Sequence, residues 1–487
     1  MSVADNIKRY VVNKLLGAEK RALLERLVRL EANSEVTASR VEAIANAVLV
    51  PPPPLPSGAS PVELASAIRA LQAEQTLANQ LARIPDLDLI TPARSVIFLH
   101  NSYYHFFYLA RALRKRGWCA ISVSLEDPTG INAQYYHGED VNIHDPDPVQ
   151  LRANAEVFFS FAKRHFKLMH FAGQGHMSFL PWNFGSEDPA DIVEWKKLGK
   201  KVAYTISGCK DSTAQSSVHR WAKTSTGRSL CDNCVWQHNS TVCSDEDNLA
   251  WGRKLHRFTD AIFSEMQPSL DYLSADYTNV IRGPHTMPND EDFWHPDLEI
   301  PDAFKLVREP NEVLVFHAVG NYSFRSVGGR NIKGTPAVVA AIDRLKTEGI
   351  PVRLIFFSRV PNTIVRYYQA QADIVVDQLW AGSYGATARE AMMLGKPVIG
   401  FVNTFEFDQA NQLEVLTTTP IISADVDTVY DAIKALALDA DRRRLVGAAT
   451  RAFAVKWHGT HACAQKYEQA YDRIWARDIA VEVPEAK

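Results

Sequence analysis

A chain of 487 residues is longer than one hydrophobic core organises, and at roughly 150 residues per domain it predicts two or three domains. Its 46% hydrophobic and 22% charged residues are those of an ordinary folded protein, and a net charge of −3 excludes the broad basic field of a nucleic-acid binder. No apolar run approaches the ~20 residues that span a bilayer, the first residues lack the order of an export signal, and six cysteines in so long a chain do not read as a disulfide framework. The expected location is the cytoplasm.

Residues 1–48 carry Leu15, Leu16, Leu23, Leu24, Leu27, Val28 and Leu30 at helical spacing, interleaved with Lys14, Lys20, Arg21, Arg26 and Arg29. Such a basic amphipathic helix suits packing against another copy of the chain or peripheral contact with an anionic membrane. A polyproline spacer over 51–56 and a helix over 61–82 follow. From residue 93 the pattern alternates: strands over 95–100, 119–123, 167–171, 201–206 and 261–264, with a helix over 106–116. The Pro-, Asp- and His-rich stretch 282–298 reads as a connection between domains. Beyond it come strands over 313–318, 352–357, 374–378 and 397–401, and helices over 335–348, 386–394, 427–438 and 464–476. The expected class is α/β, with two Rossmann-like doubly wound domains facing a cleft behind a helical N-terminal extension. The boundaries are 1–90 for the extension, 91–285 for the first domain with an insertion at 207–245, 286–310 for the link, 311–460 for the second domain, and 461–487 for a terminal helix and tail.

The stretch 380–401 (WAGSYGATAREAMMLGKPVIGF) carries the chemistry. Gly382 and Gly385 allow a ligand to approach the backbone, and Ser383 is placed to cap a helix starting near Gly385. The N–H groups and positive dipole end of that helix suit a phosphate. Glu390 lies among apolar residues, where a carboxylate requires a partner such as a ribose hydroxyl.

Gly382 through Ile399 resembles the donor motif of retaining GT-B glycosyltransferases of the family 4 type (glycosyl transferases group 1). The segment 331–335 (NIKGT) is similar to that family's Lys-Gly at the head of a helix, 287–293 (MPNDEDF) to its inter-domain link, and 202–211 (VAYTISGCKD) to the strand before its His-Gly-Ser-Asp-like turn. The resemblance implies a hexosyltransferase-type enzyme that moves a sugar from a UDP- or GDP-sugar to a glycan, lipid or small acceptor with retention, and without a required catalytic metal. Lys333 would contact the diphosphate beside Gly334, Arg330 would be a second cation, Ser383, Tyr384, Gly385 and Ala386 would face the phosphates, and Glu390 would hold ribose. The family's second glutamate, eight residues before Glu390, is here Gly382. That departure opens an alternative: a catalytically silent domain that binds nucleotide-sugar or glycan.

His170 and His176 follow a strand in the first domain, where the family places a histidine near the sugar; His317 and 100–102 (HNS) also fall on the expected cleft edge. Cys231 and Cys234 form a C-x₂-C unit with Cys243 nine residues on and Cys209 upstream, enough thiolates to close a tetrahedral structural zinc site in a long polar insertion. Unlinked thiols are the competing reading.

Overall fold

The computed structural model describes residues 60–482, except 90–92, 100–103, 131–132, 134–136, 174–175, 212–213, 265–280, 283–285, 404–414 and 416. The expected amphipathic helix over 1–48, the polyproline spacer and 100–102 lie outside the described residues.

Helix α1 (Pro61–Leu81) starts where a capping box fixes it: the Ser60 hydroxyl accepts from Glu63 N, and the Glu63 carboxylate receives Ser60 N–H. The first domain then lays down β1 (Arg94–Leu99), α2 (His105–Arg114), β2 (Trp118–Ser124), β3 (Val141–Asn142), α3 (Pro148–His165), β4 (Leu168–Ala172), α4 (Ala190–Lys197), β5 (Lys201–Ile206), α5 (Gln215–Trp221), α6 (Asp245–Phe258), β6 (Ala261–Ser264) and β7 (Ile281–Arg282). Its seven strands run in the order β3-β2-β1-β4-β5-β6-β7, and every pairing is parallel. Buried apolar runs such as Val96–Leu99 are what a sheet covered on both faces requires.

The second domain contains β8 (Val313–Ala318), a short hairpin of β9 (Ser326–Val327) and β10 (Arg330–Asn331), α7 (Thr335–Thr347), β11 (Val352–Phe357), α8 (Asn362–Gln371), β12 (Ile374–Val376), α9 (Ala386–Met393), β13 (Val398–Gly400), β14 (Ile422–Ser423), α10 (Val429–Leu438) and α11 (Ala440–His458). Its five-stranded parallel sheet is ordered β11-β8-β12-β13-β14. Two doubly wound parallel sheets are therefore present, as expected. In each, the chain reverses its direction of growth beside the first strand, between β1 and β4 and between β8 and β12. Ligands in open α/β sheets bind at such switch points.

The last helix, α12 (Thr460–Glu482), returns to the first domain. Ala464, Tyr467, Ala470, Tyr471 and Ile474 join one buried cluster with Val96, Phe98, Phe106, Leu109 and Phe263, and Glu468 pairs with both Arg94 and Arg116. Helices α3, α4, α5, α6, α8 and α11 were not expected from periodicity. In α11 the reason is visible: its first turns carry three arginines, and its buried positions include Gly447, Thr450 and His458, so no continuous apolar stripe exists.

Candidate functional site

The switch point of the second sheet is built from the ends of β8 and β12 and the start of α7. Gly334 precedes α7 with φ +80°, and a β-carbon there would lie 2.9 Å from Leu379 Cβ and 3.0 Å from Val426 Cγ1. Only glycine meets both demands. The Asn331 carboxamide oxygen accepts from Lys333 N (3.2 Å) and Thr335 N (2.9 Å), while Leu379 N donates to Lys333 O at 3.2 Å. These bonds fix Lys333 at the carboxyl edge of the sheet.

There its ammonium meets a residue that sequence reasoning passed over. Asp377, the residue after β12, places Oδ1 3.0 Å from Lys333 Nζ, and its Oδ2 accepts from Gly385 N at 2.7 Å. Burial works against this charge, but Lys333, the Gly385 N–H and nearby His317 outweigh it, and the carboxyl stays below its ordinary value. The available signal was an acid directly after three apolar strand residues; the expected strand 374–378 absorbed it.

Helix α9 begins after Gly385, as expected, but no side chain caps it and Ser383 does not serve as its cap. Ser383 is buried, and its carbonyl instead accepts from Gln378 Nε2 at 2.5 Å. Tyr384 turns away from the loop: its hydroxyl meets His458 Nε2 at 2.8 Å in the core. Gly382 has φ +67°, a left-handed conformation that a glutamate would occupy only at a steric cost. The missing acid thus coincides with a turn that the loop needs. Ala386 opens the first turn of α9, next to the Lys333–Asp377 pair.

Glu390 is buried where the domains meet. Tyr104, at the start of α2, donates its hydroxyl to Glu390 Oε1 at 2.6 Å, and Gln369 Nε2 donates to Oε2 at 3.0 Å. Burial raises the carboxyl above its ordinary value; the bonds from Tyr104 and Gln369 and the charge of Arg389 oppose that rise. Asn289 of the link donates to the same Tyr104 hydroxyl at 3.1 Å, and Arg389 Nη2 lies 3.0 Å from His105 Nε2. Both carboxylate oxygens therefore have protein partners, one of them from the opposite domain.

The histidines separate by environment. His170 is fully buried, with Nδ1 2.6 Å from Tyr471 Oη and Nε2 2.8 Å from Thr205 Oγ1, and burial pushes its pKa down to about 3. It is a packing residue between β4 and α12, and both ring nitrogens are engaged. His317 is likewise buried, 2.8 Å from Val376 O and 2.9 Å from Thr335 Oγ1, and burial lowers it to about 4. It supports the site from beneath. His176 is exposed on the loop after β4, at the first sheet's switch point, stacked on Phe184 with ring centroids 4.7 Å apart.

The insertion 207–245 belongs to the first domain but reaches the second. Ser225 donates to Asp425 from N (2.6 Å) and Oγ (2.7 Å), Thr226 Oγ1 donates to Asp427 at 2.6 Å, and Arg228 pairs with Asp427. The Arg228 guanidinium lies 5.2 Å from the Trp380 ring centroid. Arg330 Nη1 donates to Cys234 O at 3.2 Å, so this expected donor cation is engaged with the insertion. Cys209, Cys231, Cys234 and Cys243 are free; burial, with a smaller contribution from neighbouring thiols, pushes Cys209 up to about 12 and Cys231 to about 11 and also raises Cys234. Among the described residues, no group of three or more His, Cys, Asp or Glu side chains is arranged to hold a metal ion. Hydrogen bonds to the second domain anchor this strap.

In chain trace the protein is similar to sucrose-phosphate synthase from Thermosynechococcus elongatus (15% identity, 79% of this chain and 100% of that one, TM-score 0.48). It is also similar to a glycosyltransferase from Rickettsia africae ESF-5 (11%, 78% and 98%, 0.47) and to WaaG, a glycosyltransferase involved in lipopolysaccharide biosynthesis (12%, 78% and 99%, 0.44). The likeness is one of fold. No family model matches the chain, and no curated protein matches it.

Proposed function

We propose that the chain is a hexosyltransferase-type glycosyltransferase that moves a sugar from a UDP- or GDP-sugar to a glycan, lipid or small-molecule acceptor with retention. The observation that carries this reading is the convergence of the Lys333 ammonium, the Gly385 N–H and the start of α9 at the switch point of the second sheet. Charge developing on a leaving diphosphate would be met by those groups without a metal ion. The inter-domain contacts of Tyr104 and of the strap would keep water from the reacting carbon. In this reading His176 faces the sugar from the first domain, and residues 1–48 touch a membrane surface or a second copy.

Calorimetric titration with UDP and GDP tests the site. Binding should persist in EDTA and fall at least about tenfold in Lys333→Ala, the loss of one charge-assisted contact; unchanged affinity would place the nucleotide elsewhere. Gly382, at the position of the family's acid, favours a second reading, a binding domain without transfer. Donor bound but neither transferred nor slowly hydrolysed would select it.

A further inference from the structure

The groups that would receive a diphosphate already hold an anion, and the chain supplies it. Asp377 is almost fully buried (1% side-chain exposure), and Lys333 retains only 11%. A β-carbon at Gly385 would lie 3.4 Å from Asp377 Oδ2 and 3.7 Å from Lys333 Nζ, so ammonium, carboxylate and N–H crowd one point. A phosphate oxygen seated between that N–H and that ammonium would coincide with the carboxylate. Two residues before Lys333 is a donor that the chain does not use: Asn331 Nδ2 is buried without a hydrogen-bond partner, while its Oδ1 holds Lys333 N and Thr335 N. A buried amide donor left open in the turn that carries Lys333 points to an incoming oxygen.

Resting on the donor reading above, we infer that Asp377 is a built-in anion that occupies the diphosphate seat of the free chain and must leave Lys333 and Gly385 before a nucleoside diphosphate enters. The backbone permits this exchange, because Asp377 N donates to Ile399 O in the sheet and stays in place when the side chain rotates. Asp377 therefore sets specificity. A bare phosphate or pyrophosphate gains too little elsewhere to displace it. A full nucleotide adds contacts of its base and ribose to the same exchange. The observed affinity is the intrinsic one reduced by the fraction of chains whose seat is open.

The experiment is calorimetry of the full chain, wild type, Asp377→Asn and Asp377→Ser, with pyrophosphate, UDP and GDP. Both neutral variants should bind pyrophosphate at least about tenfold more tightly than wild type, as for a seat open in a tenth of chains or fewer. The gain should vanish when Lys333→Ala is added. If wild type binds UDP or GDP while a folded neutral variant binds pyrophosphate no better, the inference fails and the donor reading survives. Absence of binding by all three proteins would remove both. Failure of both variants to fold would also overturn it, because a carboxylate that must yield to a ligand cannot be indispensable to the fold.

Discussion

Tyr104→Phe is the most direct probe of how the two domains are coupled through the site. The ring makes a stacked contact with His137 (centroids 5.3 Å apart) and a tilted one with Trp294 (4.7 Å), and phenylalanine keeps both. The hydroxyl alone is lost, and with it the 2.6 Å bond to Glu390 and the 3.1 Å bond from Asn289. A hydrogen bond to a buried charged partner contributes about 2 kcal/mol, which for a domain of 150–250 residues lowers Tm by about 4–8 °C. The loss should depend on pH. Burial holds the folded-state pKa of Glu390 above its ordinary 4.5, so the native chain binds more protons than the unfolded one between those values. Stability from this group is gained as pH falls through the folded pKa and lost as pH rises through it. The Tyr104 bond opposes the upward shift, and its removal raises the folded pKa further. The deficit of Tyr104→Phe should therefore be largest at pH 7–8 and shrink as Glu390 protonates. Differential scanning fluorimetry at pH 5 and pH 8 reads both effects; an equal Tm for variant and wild type at pH 8, or a deficit that grows in acid, would refute the coupling.

Gly334→Ala should cost about 2–4 kcal/mol, combining left-handed strain with the clash against Leu379 and Val426; a urea midpoint within error of wild type would contradict the geometry. Arg228→Ala removes an exposed ion pair and the contact over Trp380, so global stability should change by less than about 1 kcal/mol. The strap should nevertheless loosen, and tryptic cleavage after Lys223 should accelerate; an unchanged cleavage rate would show that the Ser225 and Thr226 bonds hold it alone. The Cys209 and Cys231 thiols should stay protonated near neutrality, pushed up by burial to about 12 and about 11, and their alkylation should become fast only above about pH 10. One equivalent of zinc per chain, with alkylation blocked until chelation, would instead show the thiols to be ligands.

Much of the frame was legible in the sequence. Short apolar runs over 95–100, 201–206, 313–318 and 352–357 read as strands, and Gly395 and Pro397 marked where α9 must stop, because strand length, caps and turns are local properties of the chain. For the same reason the Gly385 helix start was read from the glycine spacing, whereas Lys333 and Gly334 were singled out only by the resemblance of 331–335 to a family motif. What a side chain touches was not legible. His170 and His176 are six residues apart on one strand and its following loop, yet α12, arriving some 300 residues later, makes the first a core residue. Tyr384 and Glu390 read as ligand-facing from their place beside Gly385, but His458 and Tyr104, brought in by α11 and α2, take their polar atoms. Asp377 looked like the end of a strand until the fold set Lys333 and Gly385 N on its two oxygens. The sequence determined that a helix start, a lysine and flexible glycines share one sheet edge. Only the tertiary structure decided which charges already meet there, because a buried polar group takes its partner from whichever distant segment packs against it.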